Sequence, residues 1–239
     1  MDHIARMEGG VTGPWWIRAD DGRSYVAKDE IPGLTTVRSS EWIWLSIANE
    51  VRLPASKPDV LDDRKSGRML VGTLREQSAI GKDQLSCQTL FYSGQIIDGS
   101  KQLSRIHAFD LFSGNPDRHP GNYLVLNDDI GPVVTAIDFS HAGILPGEGT
   151  SDALTTHCNT RAFFPSVISH YGHDLAAALE TIDRLEQLLP STIDTILTRM
   201  PDEWLSQADR LRVIKWWEGE EPKARAILVK QELQHAQYV

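Results

Sequence analysis

Residues 112–140, FSGNPDRHPGNYLVLNDDIGPVVTAIDFS, constrain the fold more than any other stretch of this chain. Asp117 and Asn122 stand five apart in a loop rich in Pro and Gly. Residues 123–126 are a short apolar run, and residues 127–132 are dense in turn formers. Residues 133–137 are mostly apolar and β-branched, so they read as a second strand. The product is an antiparallel hairpin. With its turn centred near Ile130, Asn122 at the start of one strand faces Asp138 at the end of the other. Two oxygen ligands then meet at one end of the hairpin, with Asp117 close by on the loop. Mg²⁺ is held by this kind of supply, one or two carboxylates or amides completed by phosphate and water. Each residue alone is an ordinary loop residue; the joint spacing is what fits a metal site.

Asp117-Arg118-His119-Pro120-Gly121-Asn122 resembles the D-R-H-x-x-N loop of the phosphatidylinositol 3-/4-kinase-like fold, and Ile137-Asp138-Phe139-Ser140 resembles its I-D-F-G element. The whole chain is similar to the small bacterial HipA-like kinases, a branch of that fold. The resemblance implies an α+β, two-lobed protein-kinase-like architecture that uses ATP and Mg²⁺. It implies that Asp117 is the catalytic Asp, that Asn122 and Asp138 hold Mg²⁺, and that His119 buttresses the loop. Ser140 stands where many relatives have Gly, which changes backbone freedom and removes no ligand.

At 239 residues the chain is long enough for one large or two-lobed domain. Its net charge of −9 argues against a general nucleic-acid binder. Cys87 and Cys158 make neither a disulfide framework nor a metal spacing, as expected of a reduced, cytoplasmic protein. No apolar run approaches a membrane span, no basic amphipathic element offers a membrane hold, and residues 1–6 carry no apolar leader core.

Upstream, residues 15–18 and 24–28 flank Ala19-Asp20-Asp21-Gly22, a good hairpin turn. Gly9, Gly10 and Gly13 precede it, and a Gly-rich turn before a strand lets backbone N–H groups approach phosphate. The full G-x-G-x-x-G of protein kinases is absent. Lys28 ends Tyr25-Val26-Ala27-Lys28, close to the V-A-I-K strand that sets a lysine on nucleotide phosphates. Residues 39–51 read as a helix capped by Ser39 or Ser40, with Trp44, Ile47, Ala48 and Val51 as its apolar stripe. Glu41 lies about 60° from the stripe's centre, where a carboxylate needs a partner. Lys28 is the candidate, although a first-turn glutamate is also favoured by the helix dipole. Residues 60–61 and 68–74 read as two more strands, in which Leu70 and Val71 are sheet core or line an adenine slot.

Residues 102–111 read as the helix that delivers the loop, with Asp110 as a structural contact. Residues 141–165 read as an irregular substrate or activation loop. Helices are expected over 174–189 and 191–200, then from an Asp202 cap toward Trp216, and over 221–237. Trp204, Trp216 and Trp217 read as helix-packing core. The expected organisation is a single kinase-like domain over 1–239, with an N-terminal lobe over 1–75 and a C-terminal lobe over 76–239.

The expected reaction is phosphoryl transfer, by the resemblance to a protein Ser/Thr hydroxyl. Partners would be a protein substrate and an antitoxin or regulatory protein. The Gly-rich turn begins within ten residues of Met1, which departs from full-length HipA toxins and their extra N-terminal region. Two alternatives stay open: a nucleotide-binding pseudokinase module, and transfer of AMP from an inverted nucleotide.

Overall fold

The computed structural model describes residues 2–6, 13–34, 36–75, 89, 91–148 and 151–235. Five strands form one antiparallel sheet in the order β1-β2-β3-β5-β4: β1 (Asp2–Arg6), β2 (Trp15–Arg18), β3 (Ser24–Lys28), β4 (Pro58–Asp63) and β5 (Arg68–Leu74). The β2–β3 turn is closed by Gly22 at φ 80, a left-handed angle that glycine adopts without a Cβ clash. Ile17, Tyr25, Ala27, Leu61 and Leu70 form a small core on one face of this sheet.

Helix α1 (Val37–Glu50) packs on the other face. It is buried nearly all round because the helical lobe covers its far side. Trp42 Nε1 donates to the Ile196 carbonyl at 2.9 Å, and Trp44 Nε1 to the Gly143 carbonyl at 2.7 Å. The serine caps expected at 39 and 40 are corrected here: both residues are buried one turn inside the helix. Glu30 caps α1 from outside, accepting the Val37 N–H at 2.9 Å and the Arg38 N–H at 3.3 Å. A carboxylate on a helix N-terminus also faces its positive dipole end. Glu30→Ala is expected to cost about 1 kcal/mol, read as a melting temperature about 2–4 °C lower.

The helical lobe holds α2 (Gly99–Ser113), α3 (Asn159–Tyr171), α4 (Leu175–Glu186), α5 (Pro190–Thr198), α6 (Gln207–Glu218) and α7 (Glu221–His235). Between α2 and α3 stands the hairpin β6 (Tyr123–Asp128)–β7 (Gly131–Ala136). Its register differs by one from the expected one. Tyr123 pairs with Ala136 and Asp128 with Gly131, so the loop is the two residues Asp129 and Ile130. Asn122 therefore stands opposite Ile137, whose N–H donates to the Asn122 carbonyl at 3.2 Å.

Further differences are local. The stretch read as irregular to Pro165 becomes helical at Asn159, with Pro165 inside α3. Ser206, not Asp202, caps α6, accepting the Asp209 N–H at 3.1 Å, because Asp202 opens a separate 3-10 turn, Asp202–Trp204. The three tryptophans divide: Trp216 and Trp217 pack on Phe112, while Trp204 packs on Trp42 and donates to the Met69 carbonyl at 3.0 Å. No described helix is long and apolar enough to cross a membrane.

Candidate active site

Lys28 ends β3 on the sheet face that α1 covers, directly opposite Val71 in the β3–β5 register. Its Nζ lies 3.2 Å from Glu41 Oε1 and 2.7 Å from Asp138 Oδ1. Glu41 Oε2 also accepts the Phe139 N–H at 2.7 Å, so one helix carboxylate ties the strand lysine to the residue after Asp138. Lys28 and Glu41 are buried, and the Asp138 side chain keeps 22% of its surface exposed. Burial alone would depress the Lys28 ammonium, but the Asp138 and Glu41 charges outweigh it and hold its pKa above the usual value. Burial raises Glu41 even against Lys28. Burial also opposes the charged form of Asp138, yet Lys28 and the Ser140 hydrogen bonds hold its pKa well below the usual carboxylate range. Asp138 is thus an anion at neutral pH.

Asp138 reaches this position by leaving the hairpin with φ 62. A one-residue register shift turns a strand side chain to the other face, and a left-handed residue re-aims it. Asp tolerates that conformation better than most L-residues. Ser140 fastens it: its Oγ–H donates to Asp138 Oδ1 at 2.6 Å and its N–H at 3.3 Å. All these contacts fall on Oδ1, and Oδ2 makes none among the described residues.

The loop ahead of β6 is organised from underneath by Arg118, which is 1% exposed. Its Nε and Nη2 form a two-pronged pair with Asp110 at 2.8 and 3.0 Å. Its Nη1 donates to the carbonyls of Asn122 and Ile137, both at 2.5 Å, so one nitrogen holds the backbones that carry Asn122 and Asp138. The guanidinium lies 5.2 Å from the Tyr123 ring centre and 4.6 Å from that of Phe139. Asp110, on α2, is fully buried and also accepts Asn115 Nδ2 at 2.8 Å.

Above this anchor stand the remaining polar groups. Asn122 Nδ2 donates to the Asp117 carbonyl at 2.7 Å, which turns the amide oxygen the other way. Asp117 Oδ1 accepts Asn159 Nδ2 at 2.8 Å, and its Oδ2 lies 4.0 Å from His119 Nε2. His119 Nδ1 accepts the Gly121 N–H at 3.1 Å, so a neutral ring carries its proton on Nε2, toward Asp117. The oxygens that could hold a metal are one carboxylate oxygen, Asp138 Oδ2, and one amide oxygen, Asn122 Oδ1. It fits Mg²⁺ when phosphate oxygens and water complete the shell.

Other sequence expectations divide. Leu70 and Val71 face opposite sides of β5: Leu70 belongs to the small core and Val71 to the core around α1. Successive strand residues alternate faces, so both cannot line one slot, and only Val71 shares the face of Lys28. Gly13 adopts φ 47; Gly9 and Gly10 lie outside the described residues. Sequence reasoning missed the Arg118–Asp110 pair, Asn159 and Thr160. Thr160 Oγ1 accepts the Arg118 N–H at 2.9 Å and donates to the Asn115 carbonyl at 2.6 Å. An arginine inside a loop full of turn residues was the signal available.

A small antiparallel sheet carrying Lys28, a helix carboxylate beside it, and a loop and hairpin at the junction with a helical lobe define a protein-kinase-like fold. The chain belongs to the HipA-like kinase family, which it matches over residues 1–216. Family and fold together support a phosphotransferase. Among solved structures, a Helicobacter pylori proinflammatory kinase, CtkA, is similar at 12% identity and a TM-score of 0.60, over 96% of this chain and 94% of that one. A chain from the Shewanella oneidensis MR-1 toxin–antitoxin complex of HipA, HipB and operator DNA is similar at 11% identity and a TM-score of 0.57, over 100% of this chain and 68% of that one. Likenesses at this identity establish the fold alone. No curated protein matches the sequence.

Proposed function

We propose that the chain is a single kinase-like domain, with lobes over 1–75 and 76–239, that transfers the γ-phosphoryl group of ATP to a protein Ser/Thr hydroxyl with Mg²⁺. The observation that carries this reading is Lys28 between Glu41 and Asp138, at 3.2 and 2.7 Å. A lysine held this way faces nucleotide phosphates on one side and a metal carboxylate on the other. Asn122 Oδ1 and Asp138 Oδ2 would hold the metal. Bound Mg²⁺ would supply neutralisation of the phosphate charge. Lys28 would move part of its charge from Asp138 to the phosphates, while Glu41 keeps the ammonium in place.

Asp117 Oδ2 would orient the acceptor hydroxyl and take its proton as the acceptor oxygen bonds to the γ-phosphorus and the bond to the β-bridging oxygen breaks. ADP leaves with that electron pair. His119 Nε2 faces the same carboxylate oxygen at 4.0 Å. Catalysis here is mostly positioning and charge stabilisation. A protein acceptor and a regulatory or antitoxin-like partner are the first to test.

The experiment is incubation of the purified chain and a cell lysate with ATP labelled at either the α- or the γ-phosphate, with Mg²⁺ or with excess chelator. Label from γ-ATP should appear on protein Ser or Thr, and chelator should abolish it. Label from α-ATP instead would mean AMP transfer. Saturable binding without any transfer would leave a nucleotide-binding module.

A further inference from the structure

The segment from 151 to 160 is fastened at both ends, and its far end touches Asp117. Arg225 on α7 grips the Asp152 carboxylate with two hydrogen bonds of 2.6 Å, between side chains only 11% and 14% exposed. The same guanidinium donates to the carbonyls of Phe112 at 3.1 Å and Leu111 at 2.7 Å, in the last turn of the helix that delivers the catalytic loop. Arg161 donates to the Leu154 carbonyl at 2.8 Å and pairs with Glu232, also on α7. The segment then sets Asn159 Nδ2 on Asp117 Oδ1 and Thr160 Oγ1 on the Arg118 N–H. Arg225 and Glu232 both lie beyond the 216 residues that match the family.

Kinase activation loops are commonly ordered by an Arg–phosphate pair made on phosphorylation. Here a carboxylate meets an arginine in the same two-pronged geometry, with no modification. We propose that Asn159 is a positioning residue for Asp117, and that the Asp152–Arg225 pair holds it there without phosphorylation of the 141–158 loop. The inference rests on the phosphotransferase reading above. Asn159 takes one carboxylate oxygen of Asp117 and so leaves the other to the acceptor. The side chain is exposed, so it can be changed with little effect on the core.

The test uses the full chain, Mg²⁺ and ATP, with water as acceptor, and reads released phosphate. Asn159→Ala and the isosteric Asn159→Asp, which lack the donor, should lower kcat by about tenfold or more with KM for ATP within about twofold. Asn159→Ser, which keeps a donor, should recover part of kcat. Asp152→Asn should follow the same pattern with the protein folded by circular dichroism. Protein treated with phosphatase, its loop shown bare at Thr150, Ser151, Thr155 and Thr156 by mass spectrometry, should keep wild-type kcat. Wild-type kcat in Asn159→Ala, or loss of kcat on dephosphorylation, overturns the inference with the kinase reading intact. Absence of Mg²⁺-dependent phosphate release in the wild type, together with no label transfer from γ-ATP to protein, overturns both.

Discussion

Asp138→Asn is expected to lower Mg²⁺-dependent phosphoryl transfer by about 10³-fold or more, with the fold intact. The amide keeps the size of the side chain and an oxygen toward Ser140. It loses the charge that would hold the metal. Lys28 retains Glu41 at 3.2 Å, so the lobe junction is not left with an unpaired ammonium. The variant should also show its origin in the pH dependence of stability. Asp138 has its pKa lowered from the ordinary value of 3.8, so its charged form stabilises the folded state above that value, and this contribution is lost as pH falls through the folded pKa. The difference in melting temperature between wild type and variant should therefore be fully present at neutral pH and narrow on acidification below about pH 4. Unchanged transfer by Asp138→Asn would remove Asp138 from the metal and with it the proposed site.

The second large effect is on stability. Arg118→Met leaves the fully buried Asp110 without its cation. Breaking one side of a buried ion pair costs about 3–5 kcal/mol, a fall of about 6–20 °C for a chain of this length. Burial already raises the Asp110 pKa against the pull of Arg118. With Arg118 gone, the carboxyl should fold protonated, so the variant should be relatively less impaired at acid pH. Asp110→Leu/Arg118→Met removes both charges, and such replacements are often neutral in stability. Turnover should stay lost in that double variant, because the hydrogen bonds from Arg118 to the Asn122 and Ile137 carbonyls are gone. Recovery of turnover along with stability would mean that Arg118 serves the core and not the loop.

These two residues also mark how far the sequence could be read. The Asp138 hairpin was legible because strand propensity and turn chemistry are local. The register error came from the turn: one residue more or less in the loop changes no propensity, yet it moves every partner by one. What returned Asp138 to the site was a left-handed backbone angle held by Ser140, and no short-range rule assigns φ 62 to an Asp after a strand. Glu41 could be set near the buried face by helical phase, because 100° per residue is a property of the helix alone. Leu70 and Val71 are both sheet core, as composition alone favours, and alternation along β5 sets them on opposite faces.

Arg118 was the larger omission. Its partners lie eight residues back on α2, across a hairpin on Ile137, and on Thr160 at the start of α3. Periodicity and turn chemistry act over a few residues, and they suffice for the strands from β2 onward, for most of the helices, and for the oxygen-rich loop between them, while β1 went unexpected. The burial of a guanidinium among three separate segments is a property of packing, where the cost of dehydrating a charge is met by groups distant in sequence. So the kinds of group in this site follow from short stretches of chain, while their directions, and the single nitrogen that holds the Asn122 and Ile137 backbones together, follow from how those stretches pack.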